Sequence, residues 1–137
     1  MSERTLVLLK PDAVRRGLVG EILGRYEAKG LSIVATWFGT IDAQKADAHY
    51  AEHVERDFYP PLRAFVTSGP MMALVLEGDQ AIEVVRLLNG ATDGRVAAPG
   101  TIRGDLSLSN RENLVHGSDG LESAAREIAL WFPELAD

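Results

Sequence analysis

The chain has 137 residues and a mass of 14.9 kDa, which is about one domain's worth of sequence, residues 1–137. Against 20 acidic residues it carries 14 basic ones, so its formal net charge is −6; that argues against a stable nucleic-acid partner, whose affinity comes mainly from neutralising phosphates. At 46% hydrophobic and 25% charged, the composition is that of a folded domain. With no cysteine, disulfides, thiolate nucleophiles and Cys-based metal sites are excluded.

Met1 to Thr5 leads straight into apolar sequence without the layout of a signal peptide. No stretch nears the roughly 18 apolar residues of a membrane span. Residue 2 is Ser, and no terminal cysteine offers a lipidation site. A cytoplasmic protein with no membrane partner is the expectation.

Thr5 to Leu9 is an unbroken apolar run, which predicts a strand buried on both faces, stopped by Lys10-Pro11-Asp12. Val19, Ile22, Leu23 and Tyr26 recur at helical spacing, and Gly30 follows as a C-cap. Leu31 to Phe38 reads as a second strand, and Asp42 opens a helical stretch reaching about His53. Pro60-Pro61 is expected to start a short helix, Leu62 to about Thr67, closed by Ser68-Gly69-Pro70. Met71 to Leu76 is a third strand, and Ala81, Val84, Val85 and Leu88 mark a helix ending at Asn89-Gly90. From Thr92 to about Asn113 no period survives, the mark of a functional or a disordered segment. Leu114 to His116 is a short fourth strand. A last helix carries Leu121, Ala124, Ala125, Ile128 and Phe132, with Asp119-x-x-Glu122 as its capping box. Stripped of the shorter helices the order is β-α-β-β-α-β plus a C-terminal helix. This is the α/β (α+β) ferredoxin-like arrangement: a four-stranded, mostly antiparallel sheet with helices against one face.

No Gly-Lys pair occurs, so there is no P-loop, and the His-Arg-Asp and Asp-Phe-Gly triplets of protein kinases are missing. His49-Tyr50-Ala51-Glu52-His53 matches the inverted zincin pattern, which would place two imidazoles on one helix face; the bland alternative is a solvated helix end. Eleven of the 14 basic residues are Arg, the side chain whose fork grips phosphate oxygens. Arg103 stands between Gly100 and Gly104, where backbone can approach a ligand closely. His116 is followed by Gly117-Ser118-Asp119, where backbone amides and a helix start favour anions. Glu127 could reach back to hold the His116 ring in one tautomer. A nucleophile, an orienting carboxylate and anion-binding amides form a pattern of covalent catalysis.

Asn113-Leu114-Val115-His116-Gly117-Ser118-Asp119 resembles the active-site signature of nucleoside diphosphate kinases. Thr5 to Asp12, His49 to His53, Thr67 to Pro70, Pro99 to Asp105 and Glu127 to Phe132 resemble further segments of that family, in order. The match at His49 to His53 removes the zinc reading. The resemblance implies γ-phosphoryl transfer from a nucleoside triphosphate to a nucleoside diphosphate through a phosphohistidine, in a ping-pong sequence. It implies His116 as the nucleophile at Nδ1, with Tyr50 near the transferred group. Lys10, Arg86, Thr92, Arg103 and Asn113 would hold phosphates and sugar, and Phe58 and Leu62 would meet the base. It also implies Mg²⁺ on the phosphates, with Asp119 and Glu52 nearby through water, and a homo-oligomer. A hexamer is expected before a tetramer. A non-catalytic nucleotide-binding or regulatory protein on the same fold is the alternative. Intact His116, Lys10, Arg103 and Glu127 weigh against it. The sequence departs from the family pattern at Ala13, Asp57, Pro60-Pro61, Asp93-Gly94 and Leu106, and the last two departures bear on how firmly the long loop is held.

Overall fold

The computed structural model describes residues 2–135. The first strand, β1 (Ser2–Leu9), shows why its apolar run is continuous: Leu6, Val7, Leu8 and Leu9 are all buried, and they alternate between two cores. Val7 and Leu9 pack with Ile22, Tyr26, Ala81, Val85 and Ile102, whereas Leu6 and Leu8 pack with Ala46, Phe65, Val66, Ile128 and Trp131. Period-2 alternation hides its polarity when both faces are covered. The one-sided arrangement of helices expected from the sequence is therefore corrected. Both faces of the sheet are covered.

The sheet joins β1 to β2 (Ser32–Gly39), β3 (Met71–Asp79) and β4 (Val115–Gly117) in the order β2-β3-β1-β4, and every pairing is antiparallel. That is the ferredoxin-like order. α1 (Pro11–Arg15) and α2 (Val19–Lys29) follow β1; Lys10-Pro11-Asp12, read as a stop, starts the short α1, with Pro11 in the first turn where a missing N–H costs nothing. Gly30 closes α2 at φ 106°, as its place after the helical period implied.

α3 spans Ala43–His49 and is capped by Asp42, whose carboxylate accepts the Lys45 N–H at 2.8 Å. It stops at His49, shorter than the stretch expected to reach His53; turns follow up to α4 (Tyr59–Val66). Pro60-Pro61 starts α4, as expected, within a first turn that opens at Tyr59 and not at Leu62. α5 (Ala81–Asn89) matches its apolar period.

Within the irregular segment lies α6 (Ile102–Leu106), whose cap Thr101 accepts the Gly104 N–H on its hydroxyl at 2.9 Å. The loop around it is knit by Ser107, whose hydroxyl donates to the Ser109 and Glu112 carbonyls, and by the Gly94 N–H, which donates to Ser109. A Cβ at Gly94 would collide with the Ser107 backbone, so glycine here allows close packing of the loop on itself. Among the departures from the family pattern, Ala13 is fully buried and Leu106 packs against the core. α7 (Leu121–Trp131) ends the fold with a short 3₁₀ turn at Pro133–Leu135. Its N-cap is Gly120 with no side-chain cap, so the capping box drawn at Asp119 and Glu122 does not form. Asp119 instead accepts a hydrogen bond from the Ser123 hydroxyl.

Candidate active site

Lys10 follows the last residue of β1, His116 sits in β4 beside it, and Glu127 lies on α7 across from both. Antiparallel pairing sets Leu8 opposite His116, so the histidine is held by the sheet itself. Its Nε2 lies 3.0 Å from Glu127 Oε1. The same carboxylate oxygen accepts the Ser118 hydroxyl at 2.7 Å, and Ser118 Oγ in turn accepts the Leu6 N–H at 3.2 Å. Glu127 and Ser118 are buried and His116 is partly exposed. A carboxylate so placed favours an Nε2–H tautomer and leaves Nδ1 with its lone pair.

The Ser118 N–H donates to the Leu6 carbonyl at 3.1 Å. The reading of the Ser118 amide as an anion donor is therefore corrected: it extends the sheet pairing, and the Ser118 side chain orients Glu127. Only a hydroxyl two residues beyond His116 was visible in the sequence.

His49 also escaped the sequence reading as a site residue. Its ring meets that of His116 edge-on, with centroids 4.7 Å apart, and its Nδ1 accepts the Trp131 indole N–H at 3.1 Å. Burial, then the neighbouring His116 and Arg126, hold its pKa well below the ordinary imidazole value, so it stays neutral. Ligand atoms of His49, His116 and Glu127 lie within 4.8 Å of one another. The Glu127 oxygen nearest His116 and one His49 nitrogen are already occupied by Ser118, His116 and Trp131, so the cluster is explained without a metal. The zincin pattern fails on its own terms, because α3 ends at His49 and His53 lies in the following turns.

The Lys10 ammonium is buried and donates to Asn113 Oδ1 at 2.9 Å. Burial, followed by the nearby Arg103 charge, lowers its pKa to about 8, while Asp12 pulls the other way. The Asn113 amide nitrogen donates to the Thr92 and Asn110 carbonyls at 3.2 and 2.8 Å. Arg103 is committed more heavily than expected of a group aimed only at phosphate. Its Nε, Nη1 and Nη2 donate to the carbonyls of Asn113, Gly90 and Val115 at 3.1, 2.9 and 2.6 Å. A guanidinium has five N–H donors, so two remain for a ligand. Gly90, at φ 85°, presents its carbonyl to Arg103 where a Cβ would collide with Thr101.

The Tyr50 hydroxyl is buried and has no hydrogen-bond partner among the described residues; burial raises its pKa well above the ordinary phenol value. Phe58 is 47% exposed, between His53 and Arg56, with Leu62 one helical turn on. Arg86, Thr92 and Asp119 are exposed. The Ser123 hydroxyl, then the Arg86 charge, keeps the Asp119 carboxyl below its usual pKa. Lys10, Tyr50, Phe58, Leu62, Arg86, Thr92, Arg103, Asn113, His116, Asp119 and Glu127, every site residue expected from the sequence, line one cleft of about 810 Å³. That volume suits a small-molecule ligand.

A basic, partly apolar cleft built around an oriented histidine on an antiparallel ferredoxin-like sheet defines a phosphate-handling enzyme rather than a macromolecule-binding module. The sequence model described as nucleoside diphosphate kinase matches residues 3–136. The chain is 77% identical over 135 residues to a nucleoside diphosphate kinase from a Nocardioides species, covering 98% of this chain and 100% of that protein. It is 64% identical to the one from Cutibacterium acnes, over 97% of this chain and 96% of that protein. The fold superposes on the halophilic nucleoside diphosphate kinase of Halobacterium salinarum, solved in complex with CDP. The TM-score is 0.94 at 50% identity, over 100% of this chain and 93% of that one. The chain belongs to the nucleoside diphosphate kinase family, and it is a phosphotransferase acting on nucleotides.

Proposed function

We propose that the enzyme moves the γ-phosphoryl group of a nucleoside triphosphate to a nucleoside diphosphate in two half-reactions, through phosphorylated His116. The observation that carries this reading is the His116–Glu127–Ser118 chain, which engages Nε2 of His116, a residue lining the cleft, and so leaves the Nδ1 lone pair available. In the first half-reaction the Nδ1–P bond forms as the bond from the γ-phosphorus to the bridging oxygen breaks, and the nucleoside diphosphate leaves. The imidazolium that results keeps its Nε2–H on the Glu127 carboxylate. The second half-reaction is the reverse with a different diphosphate. Such transfer needs positioning and charge cancellation more than covalent help from the protein.

Lys10, Arg86 and the two uncommitted N–H groups of Arg103 supply that charge, Thr92 and Asn113 border the sugar, and Phe58 and Leu62 receive the base. Tyr50, buried with an unpartnered hydroxyl, donates to the phosphoryl oxygens. Mg²⁺ is the ion we assign to the nucleotide phosphates. Asp119 and Glu52 are exposed, separate carboxylates on the cleft, a donor set that fits an ion held mainly by phosphates and reached through water. When bound, such an ion neutralises phosphate charge.

We also place the enzyme in the cytoplasm as a homo-oligomer, hexamer before tetramer. Assembly is supported by β2, an edge strand that leaves Ile33, Trp37 and Phe38 exposed at 37%, 38% and 55%.

Incubation with γ-labelled ATP and Mg²⁺, without acceptor, is expected to leave acid-labile, base-stable label on the protein. His116→Ala abolishes it; label persisting in that variant sinks the assignment.

A further inference from the structure

Leu114 is fully buried and yet held at φ 73°, in left-handed backbone that a branched side chain resists. The other such non-glycine residue among those described, Gln80, is exposed in the turn before α5. The Val115 N–H donates to the Asn113 carbonyl at 2.8 Å, which makes Leu114 the corner of a γ-turn. A strained corner persists only where its surroundings over-determine it, and strain of this kind collects at functional sites.

The surroundings are specific. Asp12 Oδ2 accepts the Leu114 N–H at 3.1 Å, and the Lys10 N–H donates to the Leu114 carbonyl at 2.8 Å. Arg103 holds the flanking carbonyls of Asn113 and Val115. On one side of this corner is Asn113, whose side chain holds the Lys10 ammonium. On the other side, two residues on, is His116.

We propose that Asp12 is a positioning residue for phosphoryl transfer: its carboxylate pins the Leu114 amide and so sets the distance between the Lys10–Asn113 pair and the His116 ring. Asp12 is outside the cleft and only 3% exposed, so it acts through the turn and not on substrate. Its other carboxylate oxygen has no hydrogen-bond partner among the described residues. Burying a carboxylate with one oxygen unmatched works against stability. An apolar side chain would fill that space at less cost, so what distinguishes Asp12 from a packing residue is its bond to Leu114 and its charge near Lys10, and the neutral Asn variant below separates the two. The inference rests on the roles proposed above for His116 and Lys10.

Rapid-quench measurement of phosphoenzyme formation, run across nucleotide concentrations, tests it. Asp12→Ala is expected to lower the rate constant about tenfold while changing the nucleotide dissociation constant less than about threefold. Asp12→Asn, whose amide oxygen can accept the same N–H, is expected to recover most of the rate. Where circular dichroism shows that Asp12→Ala is unfolded, Asp12→Leu, which keeps the volume and loses the acceptor, takes its place in the same comparison. An acceptor-less variant as fast as wild type overturns the proposal, and so does Asp12→Asn no faster than the acceptor-less variant. Failure of the phosphohistidine reading looks different: wild type itself would carry no label dependent on His116.

Discussion

On the floor of the cleft, Lys10, Arg103, Asn113, His116 and Glu127, with Ser118 buried behind them, hydrogen-bond to one another or to backbone before any substrate arrives. On the rim, Phe58, Arg86, Thr92 and Asp119 are exposed, and Phe58 keeps about half its surface in solvent. The floor is preorganised for one operation at one atom, where misplacement by an ångström is costly. The rim offers an exposed aromatic face and exposed charges, and in the proposed function such a face takes any base because each base has a π-face. Floor substitutions should therefore change the rate of transfer, and rim substitutions should change how tightly nucleotide is held.

Glu127→Gln is the strongest way to break this contrast. It keeps shape and an oxygen for Ser118 but removes the charge that supports an imidazolium at His116. The rate constant for phosphoenzyme formation is expected to fall on the order of 10²-fold with nucleotide affinity little changed. A dissociation constant raised as much as the rate is lowered would erase the distinction between floor and rim.

Lys10 sharpens it through pH. With its pKa brought down to about 8 by burial and Arg103, Lys10 loses its proton above that pH. Transfer at low nucleotide concentration is expected to decline about tenfold per pH unit there, while Lys10→Met is slow and flat across the range. Stability moves in the opposite sense. Below pH 8 the buried charge destabilises the fold; between 8 and 10.5 the folded chain sheds the proton and the unfolded chain keeps it. Wild type should gain on Lys10→Met across that window, by roughly 3 kcal/mol in urea unfolding.

Phe58→Ala has the smallest expected effect. KM rises about tenfold, similarly for purine and pyrimidine nucleotides, and kcat at saturation stays within about twofold. A large fall in kcat with KM unchanged would move Phe58 to the floor.

Much of this was legible because short-range chemistry dictated it. The apolar run at Leu6 to Leu9 announced a strand covered on both sides, Asp42 and Gly30 marked helix ends, and the helical period of the last helix put Glu127 within reach of His116, although that helix starts after Gly120 and not at an Asp119 cap. Local patterns misled where the partner lay far along the chain. Ser118 and Asp119 have the composition of a helix cap. Ser118 is nevertheless drawn into the sheet by Leu6, 112 residues away, and Asp119 turns to Ser123. Arg103 between glycines looked like a bare phosphate ligand, yet three backbone carbonyls occupy most of its fork.

By itself the sequence determined the order of strands and helices and which side chains could do chemistry, because periodicity, turn residues and functional groups are local properties. Tertiary structure alone decided that helices cover both faces of the sheet, since an uninterrupted apolar strand does not say what packs on each side. It alone decided the strained corner at Leu114 too. Nothing in an Asn-Leu-Val triplet favours φ 73°, and only a carboxylate 102 residues earlier, a lysine amide and an arginine fork, brought together by the sheet, can hold it there.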